Sequence, residues 1–521
     1  MSKLDLIKKI KNKLFYPFSH DMSFMILLWG LLSVSEVIIQ VVKNNFLEAG
    51  LFLVSFLWIS YLLVLVCGIY QPISKTLKII LFVLISLYTG LNLFCVYVYH
   101  TRLNYNFIEI IMQTNPQEVR EYFSMYIGWR QYLYFILFII FMAALYWLTN
   151  YRLKFSIKQY SLLFSVIICG SVLAFMVNPA RKESMELWNF KLEDIVDLRN
   201  YPTNPVLTRD SLPLPEKFII IIGESHAKSH SSLYGYEKLT NPLLAKRLAE
   251  GNLFVFDNVK SVATNTSRAF KYILNTATPE FPDTIPWYRT TNLIEVLKTL
   301  GYHTTWISNQ ARQGLYNNLS SAPADLCDES HFIRQYWSDI KYDGELVDIA
   351  TEDKIGNSAI FYHLMGQHVL FKERYPENFG IFSAEDYSKS KYSSEAQQRL
   401  AEYDNATLYN DYVIDKLIKK YADTDAIIIY FPDHGLDVYE SDLNYIGHAT
   451  QTPASQKIGV EIPFIVYLSD KFIQLRPELA TRLKQSTHRD FVTDKFIYAA
   501  MDAMGVGFSN SEDVKKASLF R

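Results

Sequence analysis

The hydrophobic pattern of the chain changes once, near residue 180. Before that point, apolar runs approach or exceed the length of about 20 residues that a membrane-spanning helix requires. These runs lie at 22–42, 48–70, 77–98, 132–149 and 159–178. The pattern therefore predicts an α-helical transmembrane domain over residues 1–178, with about five spans.

The loop 99–131 between the third and fourth runs has its own periodicity, because Ile108, Ile111 and Val119 recur at roughly helical spacing. This spacing predicts an amphipathic helix that lies at the membrane interface. A helix packed against the other spans would show the same pattern, and the two arrangements are not exclusive.

Lysine and arginine residues concentrate in the leading segment and in the loops after the second and fourth runs. Short loops rich in these residues stay on the cytoplasmic side of a membrane. The N-terminus is therefore predicted to be cytoplasmic, and an odd number of spans places residues 180–521 on the opposite side. If one run is instead a buried or interfacial helix, the second half would lie in the cytoplasm.

Short β-branched runs alternate with helical patterns after residue 216. Strands are predicted at 217–222, 253–256, 303–307, 426–431 and 462–467, and helices at 241–249, 291–300 and 396–421. Alternation of this kind is typical of a mostly parallel sheet sandwiched by helices. The sequence thus predicts an α/β domain over residues 216–521, joined to the spans by a proline-containing linker at 179–215.

Composition excludes several classes of protein and site. The chain has 521 residues and a net charge of −2, so no overall positive charge favours binding to nucleic acid. Of its 4 cysteines, Cys327 alone lies in the second half. A disulfide within that half and a zinc–thiolate cluster are therefore excluded.

Two predicted strands are followed closely by residues whose side chains can bind a metal ion. Glu224 follows the strand at 217–222, and Asp433 and His434 follow the strand at 426–431. Ligands bind beyond the carboxyl ends of strands in such sheets, and zinc accepts mixed oxygen and nitrogen ligands. A glutamate at a strand end can equally be a helix cap, and aspartate before a glycine turn is an ordinary loop signal.

Several short motifs follow one another along the second half of the chain. In order, they are Gly223-Glu224-Ser225-His226, Leu233-Tyr234-Gly235-Tyr236, Thr240-Asn241-Pro242, Ser261-Val262-Ala263-Thr264-Asn265-Thr266, His363-Leu364-Met365-Gly366-Gln367-His368, Tyr403-Asp404-Asn405, Asp433-His434-Gly435 and Gly447-His448. In this order, and behind the apolar runs, they resemble the phosphoethanolamine transferases of Gram-negative bacteria. These enzymes belong to the alkaline phosphatase and sulfatase superfamily, and the resemblance covers nearly the whole chain.

The resemblance implies a zinc ion held by Glu224, Thr264, Asp433 and His434. It also implies that Thr264 is the nucleophile, because coordination by zinc would lower the pKa of its hydroxyl. On its pattern alone, Thr264 would be a loop hydroxyl that satisfies backbone groups. Thr266 and Ser267 lie close enough in the chain to be alternative nucleophiles.

The resemblance further implies that His368 and His448 contact the phosphoryl group or a second, weaker metal ion. Without it, both would be interpreted as solvated loop histidines. On the predicted interfacial helix, Thr114 and Glu118 match positions at which the family contacts its donor lipid. A third position of that pattern, asparagine in the family, is Ile110 here, so this part of the site departs from the family.

The function implied by the resemblance is transfer of phosphoethanolamine from phosphatidylethanolamine to lipopolysaccharide at the bacterial inner membrane. The acceptor would be a lipid A phosphate or a core heptose, and the catalytic domain would face the periplasm. The added ammonium group would weaken the attraction of cationic peptides such as polymyxin to the cell surface. Alternatives are transfer of glycerol phosphate, as in lipoteichoic acid synthases, transfer to another periplasmic glycan, and a non-catalytic scaffold.

Overall fold

The structure of the protein is a computed structural model. It describes residues 12–69, 73–99, 101, 103, 119–120, 123, 127–150, 197–279, 285–312, 319–334, 340–349, 356–388, 391–442, 445–448, 452–509 and 513–520. The chain divides into two compact units, an N-terminal one made mostly of long apolar helices and a second one that contains Glu193–Arg521.

The first unit has described helices that are long and apolar enough to cross a membrane. They are Met22–Val42, Phe46–Ile69, Ser74–Tyr99 and Trp129–Leu148, with a short helix, Tyr16–His20, ahead of them. They coincide with the first four apolar runs of the sequence, which are therefore helical as predicted. The fifth predicted span, at 159–178, lies outside the described residues, as do Ile110, Thr114 and Glu118 of the predicted interfacial helix.

Polar side chains join the helices of the first unit to one another. Nε1 of Trp29 donates to the carbonyl of Leu53 at 2.8 Å, and Oγ1 of Thr89 donates to the carbonyl of Leu31 at 2.9 Å. Polar groups in an apolar environment are costly unless they are hydrogen-bonded. These contacts therefore favour close packing of the first three long helices.

The strands described in the second unit are β1 (Leu207–Arg209), β2 (Lys217–Gly223), β3 (Leu253–Phe256), β4 (Val259–Lys260), β5 (His303–Ser308), β6 (Glu329–Phe332), β7 (Ser358–His363), β8 (Ala426–Pro432), β9 (Asp437–Val438), β10 (Ile446–Gly447), β11 (Phe464–Leu468), β12 (Phe491–Val492) and β13 (Val506–Phe508). Of these, 7 form the main sheet, in the order β3-β11-β8-β2-β7-β5-β6. Strands outside the sheet pair as β1 with β13, β9 with β10 and β4 with β12.

Helices cover this sheet on both sides. The α-helices described are Pro242–Glu250, Thr266–Phe270, Leu293–Thr299, Ser394–Tyr421, Pro453–Val460, Asp470–Leu475, Pro477–Ser486, Phe496–Ala503 and Asp513–Ala517. Short 3-10 helices lie at Leu198–Asn200, Lys228–His230, Ser232–Tyr234, Trp287–Arg289, Leu319–Leu326, Asp343–Asp348, Phe371–Glu373, Glu377–Phe379, Ala384–Tyr387 and Thr493–Lys495.

The central position of β2 in the sheet explains why its sequence is a continuous apolar run. Successive side chains of a strand point to opposite faces, so Ile220 packs with the helix Phe496–Ala503 in one core. Ile221 packs with the helix Ser394–Tyr421 in a second core on the other face. Both faces are buried, as expected for parallel strands covered by helices.

The predicted mostly parallel sheet is confirmed. Neighbouring strands from β8 to β6 run parallel, whereas β11 runs antiparallel to both β3 and β8. Two strands of this seven-stranded sheet were not predicted. β6 lies at the edge and is largely polar, and β7 is a short buried run whose periodicity cannot distinguish a strand from a helix segment.

The predicted linker at 179–215 contains regular structure where it is described. Leu198–Asn200 forms a 3-10 helix whose Leu198 is buried. Further along, β1 pairs antiparallel with β13. This part of the segment is therefore attached to the second unit.

Arg476 anchors the start of the sheet through a buried ion pair with Asp425, the residue before β8. Its guanidinium donates to both carboxylate oxygens of Asp425, at 2.7 and 2.9 Å. Arg476→Met should destabilise the second unit by about 3–5 kcal/mol, because it leaves a buried carboxylate without its cation. Denaturant unfolding followed by tryptophan fluorescence measures the change.

The control is Lys341→Met, which removes an exposed cation 3.1 Å from Glu345. Exposed pairs contribute about 0–1 kcal/mol, so this variant should unfold near the wild-type midpoint. Equal effects of the two substitutions would contradict the anchoring role of Arg476.

Candidate active site

Two neighbouring strands position the acidic side chains of the site. Gly223 and Pro432, the last residues of β2 and β8, are register partners. The chain therefore leaves both strands at the same edge of the sheet, and Glu224 and Asp433 come directly after them. His434 follows Asp433, so the structure brings these three predicted residues together at the carboxyl edge, where ligands bind in such sheets.

Glu224, Asp433 and His434 form a compact trio. Each offers one ligand atom, and these atoms all lie within 4.8 Å of one another. Nε2 of His434 is 3.2 Å from Oε1 of Glu224 and 3.8 Å from Oδ2 of Asp433. All three side chains are buried, so their charges interact more strongly than charges at the surface.

The chemistry of the trio fits a metal ion. Nδ1 of His434 donates to the carbonyl of Gly435 at 2.7 Å. This hydrogen bond leaves Nε2 facing the two carboxylates, and in the neutral ring Nε2 carries the lone pair that a metal ion would bind. Oδ2 of Asp433 is buried and has no hydrogen-bond partner among the described residues. A buried oxygen of this kind is costly unless a cation or donor faces it. Two carboxylates and an imidazole are ligands that zinc accepts.

Surrounding segments hold Glu224 in place. Its carboxylate accepts from the Ser225 hydroxyl at 2.7 Å and from the Gln310 amide at 3.1 Å. Its backbone carbonyl accepts from the backbone N–H of Gln367 at 2.9 Å. Gly366 has a φ of +50°, and a Cβ there would lie 2.7 Å from the backbone oxygen of Glu224. Only glycine permits this close approach without strain.

Burial and charge act in opposite directions on the acid–base properties of the trio. Burial favours neutral Glu224, but the hydrogen bond and charge of His434 hold the pKa of Glu224 well below its usual range. Burial and the Glu224 charge raise the pKa of Asp433 to about 7. Burial alone would lower the pKa of His434, yet Asp433 and Glu224 raise it to about 9. Without a metal ion, the trio therefore retains protons that a cation would displace.

A threonine hydroxyl, that of Thr266, also contacts the trio. Its Oγ1 lies 3.1 Å from Oε2 of Glu224 and 3.3 Å from Nε2 of His434. Thr264, predicted as the nucleophile, lies against Gly459. A Cβ built on Gly459 would be 3.1 Å from Cγ2 and 3.4 Å from Cβ of Thr264. The contacts of Thr266, the alternative in the same loop, make it a second candidate for the role predicted for Thr264.

Both predicted histidines interact with members of the trio. The rings of His434 and His448 have centroids 4.7 Å apart. Burial, together with the charge of His434, lowers the pKa of His448 to about 3, so its ring is neutral. Nδ1 of His448 has no hydrogen-bond partner among the described residues. His368 acts electrostatically on Glu224 and His448.

Gln310 was missed by the sequence analysis. Its amide donates to Oε2 of Glu224 and to the carbonyl of Leu364, each at 3.1 Å. It lies shortly after β5, so the available signal was its position beyond the end of a predicted strand. An amide donor on a carboxylate ligand is the kind of partner that orients such ligands.

The second unit is thus a helix-covered α/β sheet that carries a buried, metal-capable trio and a threonine hydroxyl at its carboxyl edge. The sulfatase family matches residues 216–506. The chain belongs to this family.

Individual relatives agree with the resemblance described from the motifs. Phosphoethanolamine transferase EptC of Escherichia coli K12 is 27% identical over 461 residues, which cover 81% of this chain and 78% of that protein. The zinc complex of the C-terminal periplasmic domain of E. coli EptC is 26% identical, with a TM-score of 0.53, over 61% of this chain and 90% of that one. The predicted resemblance to phosphoethanolamine transferases is confirmed.

The fold of the whole chain has a solved counterpart. Lipooligosaccharide phosphoethanolamine transferase A (EptA) of Neisseria meningitidis, an integral membrane protein, matches over 95% of this chain and 97% of its own, with a TM-score of 0.62. At 17% sequence identity, this likeness shows the fold. The predicted architecture, apolar helices followed by a sulfatase-like domain, is confirmed.

Gly366→Ala should weaken binding of divalent metal ions and lower the unfolding temperature of the protein. The added methyl group would displace the Glu224 backbone, to which its Cβ would come within 2.7 Å. Isothermal titration with zinc and thermal unfolding measure the two effects.

Gly301→Ala is the matched control. Its φ is +87°, and nothing lies within 4 Å of a Cβ at that position. It should lower the free energy of unfolding by about 1 kcal/mol, which is the cost of an alanine in the left-handed conformation, and leave the affinity for zinc unchanged. If both alanine variants bind zinc as wild type does, close contact at Gly366 does not position Glu224.

Proposed function

We propose that the chain is a membrane-anchored phosphoethanolamine transferase that moves phosphoethanolamine from phosphatidylethanolamine to lipopolysaccharide. The observation that carries the proposal is the Thr266 hydroxyl beside the Glu224–Asp433–His434 trio. The names of the relatives support the group transferred, since they are phosphoethanolamine transferases, one of them specified as acting on Kdo(2)-lipid A.

Glu224, Asp433 and His434 would hold a zinc ion, with the Thr266 hydroxyl next to it. A bound zinc ion would lower the pKa of a neighbouring hydroxyl and stabilise negative charge on phosphoryl oxygens. The zinc complex of the related EptC domain supports this choice of metal. The proposal takes Thr266 as the nucleophile in place of the predicted Thr264, because its hydroxyl oxygen contacts Glu224 and His434.

The reaction would proceed in two displacements at phosphorus. In the first, Oγ1 of Thr266 bonds to phosphorus, the bond from phosphorus to the diacylglycerol oxygen breaks, and phosphoethanolamine-threonine forms. The proton that Thr266 loses is balanced by the one that diacylglycerol gains. In the second, an acceptor oxygen displaces Thr266 and returns a proton to it. His368 and His448 would contact the phosphoryl oxygens.

The apolar helices would keep the domain at the membrane that contains the lipid donor, which raises the rate through proximity. We infer a cytoplasmic N-terminus and a periplasmic catalytic domain at the inner membrane. Support comes from the lysine and arginine bias of the loops and from the likeness to periplasmic domains. The acceptor is a lipid A phosphate or a core heptose, and the added ammonium group would weaken polymyxin binding.

Thr266→Val should reduce transfer by about 10³-fold or more, because the substituted side chain keeps its shape but has no attacking oxygen. The measurement is mass spectrometry of lipid A and core from cells that produce each variant. Lipid A or core from cells with the wild-type protein should carry one phosphoethanolamine more than that from cells without the protein. The position of this group identifies the acceptor.

Thr264→Val is the matched control and should retain transfer. The opposite result, loss in Thr264→Val with retention in Thr266→Val, would restore Thr264 as the nucleophile. Purified protein should also release diacylglycerol from fluorescent phosphatidylethanolamine. Release from phosphatidylglycerol alone would instead support a glycerol phosphate transferase.

Chelation should abolish diacylglycerol release, and added zinc should restore it. Magnesium should not restore it, since this ion requires octahedral oxygen coordination and the trio includes an imidazole. The Asp433→Asn variant should not regain diacylglycerol release at zinc concentrations that restore this activity in the wild-type protein. Full activity in chelator would rule out the metal-dependent mechanism.

A further inference from the structure

Asp343 is a buried carboxylate that the proposed reaction does not use. It begins the 3-10 helix Asp343–Asp348 and is only 4% exposed. Burial raises the pKa of Asp343, whereas its hydrogen bonds and the positive charge of Arg334 act in the opposite direction. A buried carboxylate is costly unless donors face it, so its partners indicate which part of the structure it stabilises.

Both oxygens of this carboxylate accept from the turn that follows β7. Oδ1 of Asp343 accepts from the backbone N–H of Met365, and Oδ2 accepts from the backbone N–H of Gly366, each at 2.8 Å. Hydrogen bonds to a carboxylate are short and strong. Two of them on consecutive N–H groups fix the orientation of the turn.

The same turn lies against the backbone of a trio residue. A Cβ on Gly366 would be 2.7 Å from the backbone oxygen of Glu224. That oxygen also accepts from the backbone N–H of Gln367 at 2.9 Å. Any rotation of the turn would therefore displace Glu224, and it would also move His368, which comes directly after Gln367.

Asp343 is itself held from two directions. Nδ2 of Asn309, the residue directly after β5, donates to Oδ1 of Asp343 at 2.8 Å. The backbone N–H of Gly344 donates to the hydroxyl oxygen of Tyr409 at 3.1 Å, and Tyr409 lies on the helix Ser394–Tyr421. Satisfied buried polar networks are rigid. Asp343 therefore has a fixed position from which it can orient the turn.

We propose that Asp343 is a positioning residue of the active site, which holds Glu224 in the orientation that binds the metal ion. Its carboxylate joins the chain after β5 to the turn after β7, and the turn contacts Glu224 after β2. Asp343 acts through the turn and not on the ion. The inference rests on the proposed function for the identity of that ion, zinc.

Asp343→Asn keeps the shape of the side chain but replaces one accepting oxygen with an NH2 group, which cannot accept from an N–H. The full-length variant in detergent should bind zinc at least about tenfold more weakly than wild type, as is usual when an outer partner of a ligand is lost. Competition with a chelator measures this affinity. In the zinc-free variant, the N–H groups of Met365, Gly366 and Gln367 should exchange with deuterium faster than in wild type.

Asp411→Asn is the matched control. Asp411 is also buried, and its two oxygens accept from the consecutive N–H groups of Leu243 and Leu244, at 2.9 and 3.0 Å, in the first turn of the helix Pro242–Glu250. Both aspartate variants should lower the unfolding temperature, but Asp411→Asn should bind zinc as wild type does. This comparison separates a role in positioning Glu224 from a general loss of stability.

Asn309→Ala is a milder variant, because it removes one donor from Asp343 and leaves the two hydrogen bonds to the turn in place. It should weaken zinc binding less than Asp343→Asn does. Unchanged zinc affinity in Asp343→Asn, or equal weakening in both aspartate variants, would overturn the proposal. If Asp343→Asn does not fold, wild-type zinc affinity in Asn309→Ala would overturn it. The expected zinc affinities in a protein that releases no diacylglycerol would count against the proposed function alone.

Discussion

The pairing between β2 and β8 is the constraint on which the site depends. Glu224 and Asp433 are far apart in sequence, yet each is the first residue after one of these two parallel strands, and the register of Gly223 with Pro432 sets their proximity. A slip of one residue would turn the side chains of one strand to the opposite face and disrupt both cores. Burial of the two strands therefore determines where the carboxylates meet.

This arrangement places ionisable groups where they are costly. Two carboxylates and an imidazole are buried together, and charges removed from water require close partners. The Gln310 amide and the Ser225 hydroxyl provide part of that stabilisation for Glu224. A divalent cation would provide the rest by replacing the protons that the trio otherwise retains. Stability and metal binding should therefore be coupled in this domain.

Sequence patterns predicted the residues at strand ends, whereas they do not indicate which side chain of a loop reaches the site. Glu224, Asp433 and His434 were accessible because apolar runs mark the strands before them. Thr264 and Thr266 are two residues apart, and no periodicity indicates which hydroxyl faces the trio. Thr266 begins a helix that Asn265 caps, since the Asn265 side chain accepts from the Arg268 backbone amide at 3.0 Å.

The reversed direction of β11 also escaped prediction, and it has a consequence for how this region can change. β8 ends at the carboxyl edge, and β11, its antiparallel neighbour, begins there. The intervening chain carries His434 and His448 and therefore leaves and re-enters the sheet at the same edge. The length of this segment has no lower limit set by a crossover, since antiparallel neighbours need only a turn between them. Insertions and deletions in this segment could therefore accumulate over evolution without moving any strand of the seven-stranded sheet.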